Sequence, residues 1–220
     1  MKKSKKATSS VSIIGGADGP TSVFVAEPNE NQGIIERIKK NSYRRKRNKA
    51  EKGIEADPHT LEEVTAYLIE EYGAKELSSR SDQYEEARSN LKESLILEHR
   101  PELLGDLQEV APPDPTCEES VLTFLEKMEE RSQIAREVSD EEIPMDFHIY
   151  IIRIPEGGEI EFILEHNFAH LSCSFSGSKK ATKILERLCQ DVYLYYGVTQ
   201  EDIENQSERY SSLVTILTSK

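Results

Sequence analysis

No tryptophan occurs among the 220 residues, and aromatic residues make up only 7%. A core for this chain must therefore be built mainly from Leu, Ile and Val. No run approaches the ~20 mostly apolar residues of a spanning helix, so no transmembrane span is expected. The three cysteines, Cys117, Cys173 and Cys189, are widely scattered and form no Cys-x-x-Cys pair. That spacing indicates neither a disulfide framework nor a zinc ribbon, and it fits a reducing cytoplasm. No Gly-Lys-Ser/Thr follows a glycine-rich loop, which excludes a P-loop. Ser172, Ser174, Ser176 and Ser178 lie in no Gly-x-Ser-x-Gly elbow, so hydrolase chemistry has no support.

What is present is charge, unevenly spread. Residues 1–52 hold 13 Lys and Arg against 5 Asp and Glu, a net of +8. Residues 53–220 hold 15 against 36, a net of −21. A basic arm thus precedes an acidic body. The first residues, Met-Lys-Lys-Ser-Lys-Lys, have the charge of a signal-peptide start, but Asp18 and Pro20 break the apolar stretch behind them.

The patterning predicts an α+β fold. It has an N-terminal basic arm and helical region, and a small C-terminal antiparallel sheet packed on a helix. Residues 1–30 read as a flexible segment and residues 31–110 as a helical region whose first helix is basic. Residues 111–115, Ala-Pro-Pro-Asp-Pro, read as a linker because three prolines exclude regular structure. Residues 116–220 read as an α+β domain. Thr60 with Glu63 forms a capping box before a helix that Gly73 ends. A second helix runs over 81–99. Thr116 with Glu119 predicts another box, opening a helix to about Val138 with Val121, Leu122, Leu125 and Met128 inward.

Phe147–Ile154 is apolar on both faces, as in a central strand. Pro155–Gly158 makes a hairpin turn, and Ile160, Phe162 and Leu164 then alternate with glutamates. A third strand is expected over 168–175, with Ala169, Leu171, Cys173 and Phe175 on one face. Ala181, Leu185, Leu188 and Val192 recur at helical spacing up to Gly197. Thr199 with Asp202 suggests a further cap. Residues 210–217 can be read as strand or helix.

The most distinctive grammar is in Ile13–Phe24: Ile-Ile-Gly-Gly-Ala-Asp-Gly-Pro-Thr-Ser-Val-Phe. Gly15, Gly16 and Gly19 admit backbone angles closed to other residues, and Pro20 fixes its own φ. The break exposes backbone N–H and C=O groups beside a carboxylate, which suits an anion nest or a hard cation. The third glycine is misplaced for a dinucleotide fingerprint. The string resembles the signature of the beta subunit of sodium-translocating carboxylic-acid decarboxylases, which act on oxaloacetate, methylmalonyl-CoA or glutaconyl-CoA. The resemblance covers these residues alone. It implies a role in sodium binding or transport, with Asp18 as sodium ligand. Gly15, Gly16, Gly19, Pro20 and Thr21 would form the backbone break around it.

A second candidate is the basic patch Lys39, Lys40, Arg44, Arg45, Lys46, Arg47 and Lys49, with Tyr43 among them. Such a run neutralises nucleic-acid phosphates, rests on anionic lipid, or forms a solvated helix facing acidic protein. His166, His170 and Cys173, with His148, invite a metal reading, although Cys173 points away from the two histidines on an extended chain. Glu161 and Glu165 with Asp146 can be drawn as paired acids, but solvated edge charges are the simpler reading. No catalytic constellation is assembled and no cofactor is implied beyond the sodium ion of the resemblance. The reading is a non-enzymatic interaction or accessory protein with a protein partner. The alternatives are a decarboxylase-related sodium binder, or a basic-arm binder of nucleic acid or anionic membrane.

Overall fold

The computed structural model describes residues 10–13 and 32–218, with side chains described from residue 40 onward. The fold is α+β with an antiparallel sheet. Its elements are β1 (Ser10–Ile13), α1 (Gln32–Glu51), α2 (Leu61–Tyr72), β2 (Lys75–Glu76), α3 (Asp82–His99), a 3-10 segment (Pro101–Leu107), α4 (Glu118–Glu137), β3 (Phe147–Ile154), β4 (Gly158–Glu165), β5 (His170–Gly177), α5 (Lys179–Tyr196), α6 (Gln200–Asn205) and α7 (Glu208–Thr218). The strand order is β1-β5-β4-β3-β2. The expected flexible segment of residues 1–30 meets the described residues only in β1, whose Ser10 aligns with Ser176 and Ile13 with Cys173 on β5.

The chain divides into two compact units. The first comprises residues 1–75, 150–163 and 171–220, and the second residues 76–149 and 164–170.

In the first unit, α5 lies over β4 and β5. Ala181, Leu185, Leu188, Cys189, Val192, Tyr193 and Tyr196 form its buried face. Ser178 caps the helix by accepting from the Ala181 N–H at 3.2 Å. Contact with the sheet is close enough to demand glycine at Gly158, where a Cβ would meet Ala181 and Leu185 side chains. Tyr193 donates its hydroxyl to the Leu171 carbonyl at 2.8 Å, and Cys173 is disulfide-bonded to Cys189. The cysteine spacing had indicated no disulfide. The pairing arises because α5 turns back across the strand that precedes it, so sulfurs 16 residues apart in sequence meet in space.

The helices of residues 31–110 do not depend on one another alone. In the first unit α1 packs on α7 and α2 on α5, while in the second α3 packs on α4 and the 3-10 segment. A hydrophobic cluster of the second unit is formed by Leu95, Ile96, Leu104, Ala135 and Ile143, with Leu91, Ile134, Met145 and Phe168 around it. The proline-rich residues 111–115 carry no helix or strand and join the 3-10 segment to α4 within this unit.

Several local expectations change. Residues 210–217 are helical: Ser207 accepts from the Tyr210 N–H, and Tyr210, Leu213, Val214 and Ile216 are buried on one side of α7. Packing on α5 and α1 overrides the strand bias of the β-branched run. Thr116 does not cap α4, because it is engaged with Asp114, and Cys117 occupies the cap position without a side-chain bond. The third strand starts later than expected, at His170. Ala169 sits in the preceding turn with φ 53° and is exposed. Leu122 and Leu125 are exposed rather than inward, because α4 turns a different face to α3.

The end of α5 supplies a sharp test. Gly197 has φ 62° and ψ −163°, a region open essentially to glycine alone, and a Cβ there would strike the Asp57 carbonyl. Gly73 also has a positive φ, but a Cβ there meets open space. Gly197→Ala should lower stability by about 2–4 kcal/mol and Gly73→Ala by about 1–2 kcal/mol. Urea unfolding of both variants checks the ranking, and equal losses would contradict it.

Candidate functional site

The basic patch falls on α1. Lys40, Arg44, Arg45, Lys46 and Lys49 are exposed, as is Tyr43. Arg47 is half-buried and pairs with Glu51 at 2.7 Å, one helical turn on. That bond raises the Arg47 pKa further. The Arg47–Glu51 pair lies close to the buried Tyr210 of α7, which feels both charges. The structure therefore engages Arg47 within α1 while Lys40, Arg44, Arg45 and Lys49 are exposed. Lys39 belongs to α1, but its side chain lies outside the described residues. Asp18, Gly15, Gly16, Gly19, Pro20 and Thr21 also lie outside them.

The histidine and carboxylate candidates resolve into structural clusters. His148 on β3 sits between two carboxylates, with Nδ1 2.7 Å from Glu76 and Nε2 3.0 Å from Asp146. Burial pulls its pKa down, but the two carboxylates outweigh burial and the net shift is upward. The His166 ring meets His148 edge-on at 5.4 Å. His170 is driven the other way, below its usual range, by burial. Cys173 is committed to its disulfide. Among the described residues no group of three or more His, Cys, Asp or Glu side chains is placed to hold a metal.

Glu165 is fully buried, against the expectation of a solvated edge charge. Its carboxylate accepts the backbone N–H groups of Asp146 at 2.7 Å, Phe168 at 2.6 Å and Asn167 at 3.3 Å. It thus closes the turn into β5 by replacing the water lost on burial. Glu161 is on β4 and only half-buried. The pairing of Glu165 with Asp146 is through the Asp146 backbone, so the two carboxylates do not form an acid–base pair.

Two clusters have no local sequence signal. Tyr67 and Tyr72 of α2 both donate to one oxygen of Asp191 on α5, each at 2.5 Å. The bond to Asp191 raises the Tyr67 pKa, and burial followed by the same carboxylate raises that of Tyr72. Both phenols therefore stay protonated as donors. Tyr195 is stacked between Tyr67 and His59, at 4.0 Å and 4.1 Å. Arg209 at the start of α7 gives the Gly197, His59 and Tyr196 carbonyls hydrogen bonds of 2.8, 3.0 and 2.5 Å and lies over the Tyr196 ring. The donors and acceptors are more than 100 residues apart in the Tyr–Asp case, so helical periodicity cannot reveal them.

The second unit has a cleft of about 460 Å³ lined by Glu85, Glu86, Arg88, Ser89, Lys92 and Arg136. Its cations are largely consumed by the fold. Lys92 is buried and donates to the Val138 carbonyl and to Asp140, Arg88 pairs with Asp140, and Arg136 donates to Ser89. Cys117 is exposed at the α4 N-terminus, followed directly by Glu118 and Glu119.

No protein-family model, curated protein or solved structure matches the chain. No helix among the described residues is long and apolar enough to cross a membrane.

The His148 cluster predicts a pH signature. A histidine whose folded pKa is raised stabilises fully below its unfolded value, near 6.5, and loses that contribution as pH rises through the folded value. His170 has the opposite sign, so the comparison must be between variants. The stability gap between wild type and His148→Gln should be widest at about pH 5.5, where carboxylates remain ionised, and should narrow above 6.5. Urea midpoints across this range measure it. A gap that widens with rising pH would contradict the assignment.

Proposed function

We propose that the chain is a non-enzymatic interaction protein whose basic helix α1 docks an acidic surface of a protein partner. One observation carries the reading: Lys40, Arg44, Arg45 and Lys49 are exposed on a helix that packs on α7. A helix already seated on the body presents its charges with less ordering cost than a free tail. The half-buried Arg47–Glu51 pair keeps a carboxylate within the basic run. A flat anionic bilayer suits α1 less well, since membrane-surface helices insert an apolar face and α1 turns a face to α7 instead. The net −21 of residues 53–220 opposes long phosphate polymers more than it opposes a compact acidic patch.

A second reading rests on the string Ile13–Phe24 itself. By its resemblance to the decarboxylase beta subunit, Asp18 would bind sodium, with Gly15, Gly16, Gly19, Pro20 and Thr21 shaping the loop. A thermal shift specific to sodium over potassium, and lost in Asp18→Asn, supports this reading. Identical melting in both salts removes it.

The principal test replaces Lys40, Arg44, Arg45 and Lys49 together with Ala, keeping Arg47 for stability. Wild-type full chain should capture a protein partner that survives nuclease treatment and is released by raising the salt. The variant should lose that partner while its unfolding free energy stays within about 0.5 kcal/mol of wild type. Undiminished capture by the variant would reject α1 as the docking element. Capture of nucleic acid in place of protein would reject the partner class.

A further inference from the structure

A second surface stands on α4, independent of α1. Five large apolar or aromatic side chains are notably exposed among the described residues, and only two of them share a helix: Leu122 and Leu125, at 54% and 55%. With Glu118 and Glu129 they form a single row at spacings of four, three and four, which lie on one helix face. All four are exposed. The opposite side of the helix holds it in place. Ala135 enters the core of the second unit and Arg131 pairs with Glu93 at 2.7 Å. The row is thus offered outward on a helix anchored through other residues.

Isolated exposed leucines are ordinary and need no explanation. Two adjacent ones closed at both ends by carboxylates make a more specific pattern, an apolar anchor with a charged rim. The row also excludes one occupant. Glu-Leu-Leu-Glu reads the same in both directions. Antiparallel pairing of two copies of α4 would set Glu118 against Glu129, and parallel pairing would set each glutamate against itself. Like charges facing across a helix pair disfavour both arrangements.

We propose that this row docks a cationic amphipathic helix of another protein, one that carries two apolar residues three apart with Lys or Arg four residues beyond each. The apolar pair covers Leu122 and Leu125, and the flanking cations meet Glu118 and Glu129. Because the row is symmetric in charge, it sets the spacing of the partner's cations rather than the direction of its chain.

The test uses the full chain and three synthetic helical peptides of about 20 residues. The first carries Lys-x-x-x-Leu-x-x-Leu-x-x-x-Lys. The second replaces both lysines with Glu, and the third replaces both leucines with Ser. Wild type should prefer the first peptide over each of the others by at least about tenfold, measured by fluorescence anisotropy. Leu122→Ser with Leu125→Ser should reduce binding of the first peptide by a similar factor. Glu118→Lys with Glu129→Lys should reverse the preference, so that the Glu-flanked peptide binds better. Circular dichroism and unfolding midpoints confirm that these exposed substitutions leave the fold intact. Equal binding of the leucine and serine peptides would overturn the proposal, since it would show only attraction to an acidic protein. Failure of the charge reversal to switch preference would overturn it too. So would concentration-dependent self-association that the double-serine variant abolishes, because the row would then serve a second copy.

Discussion

Burial of one face of α5 against β4 and β5 is the contact on which the first unit depends. The close approach at Gly158, the Tyr193–Leu171 hydrogen bond and the Cys173–Cys189 link all join this helix to the strands. The rest of the unit is attached to α5 in turn. Asp191 receives Tyr67 and Tyr72 of α2, Tyr195 completes a ring stack with Tyr67 and His59, and Gln190 donates to the Ile216 carbonyl of α7. Helix α1 is held one step further out, on α7. The surface proposed for partner recognition therefore sits at the end of a chain of contacts running from sheet to α5 to α7 to α1. That order fits a helix whose outward side is rich in charge and contributes little to the core.

The second unit reaches stability by other means. Charged groups close the edges of its apolar core: Lys92 and Arg88 on Asp140, Arg131 on Glu93, and Glu165 on three backbone N–H groups. Glu165 is the most committed of these, because a buried carboxylate without its three donors would leave a charge out of water. This arrangement leaves much of the acidic surface solvated, including the flank of α4 with its two leucines. Acidic and basic surfaces thus belong to separate elements, and partner selection by charge can act on each in its own right.

What the sequence made legible was local. The capping boxes at Thr60–Glu63 and Thr199–Asp202, the stops at Gly73 and Gly197, the buried β3 and the apolar face of α5 all follow from spacing within a few residues. Where a competing local bond existed, the same rule failed, as when Asp114 took Thr116 away from the α4 cap. Residues whose role is set by distant partners were not legible. Glu165 alternates with apolar neighbours like any edge glutamate, yet three amides from the adjoining turns surround it. Leu122 and Leu125 fit an inward stripe by periodicity, but that stripe is wider than the face α3 covers. The basic patch was visible as composition. The Arg47–Glu51 pair within it is an i,i+4 contact of α1, a spacing already present in the sequence.

Native-state amide hydrogen exchange on the full chain tests this hierarchy most directly. The slowest exchange of the first unit is expected in α5, from Leu185 to Tyr193, with α7 opening more readily and α1 most readily of the three. Exchange in α5 as fast as in α1, or an α1 that stays protected while α7 opens, would contradict it.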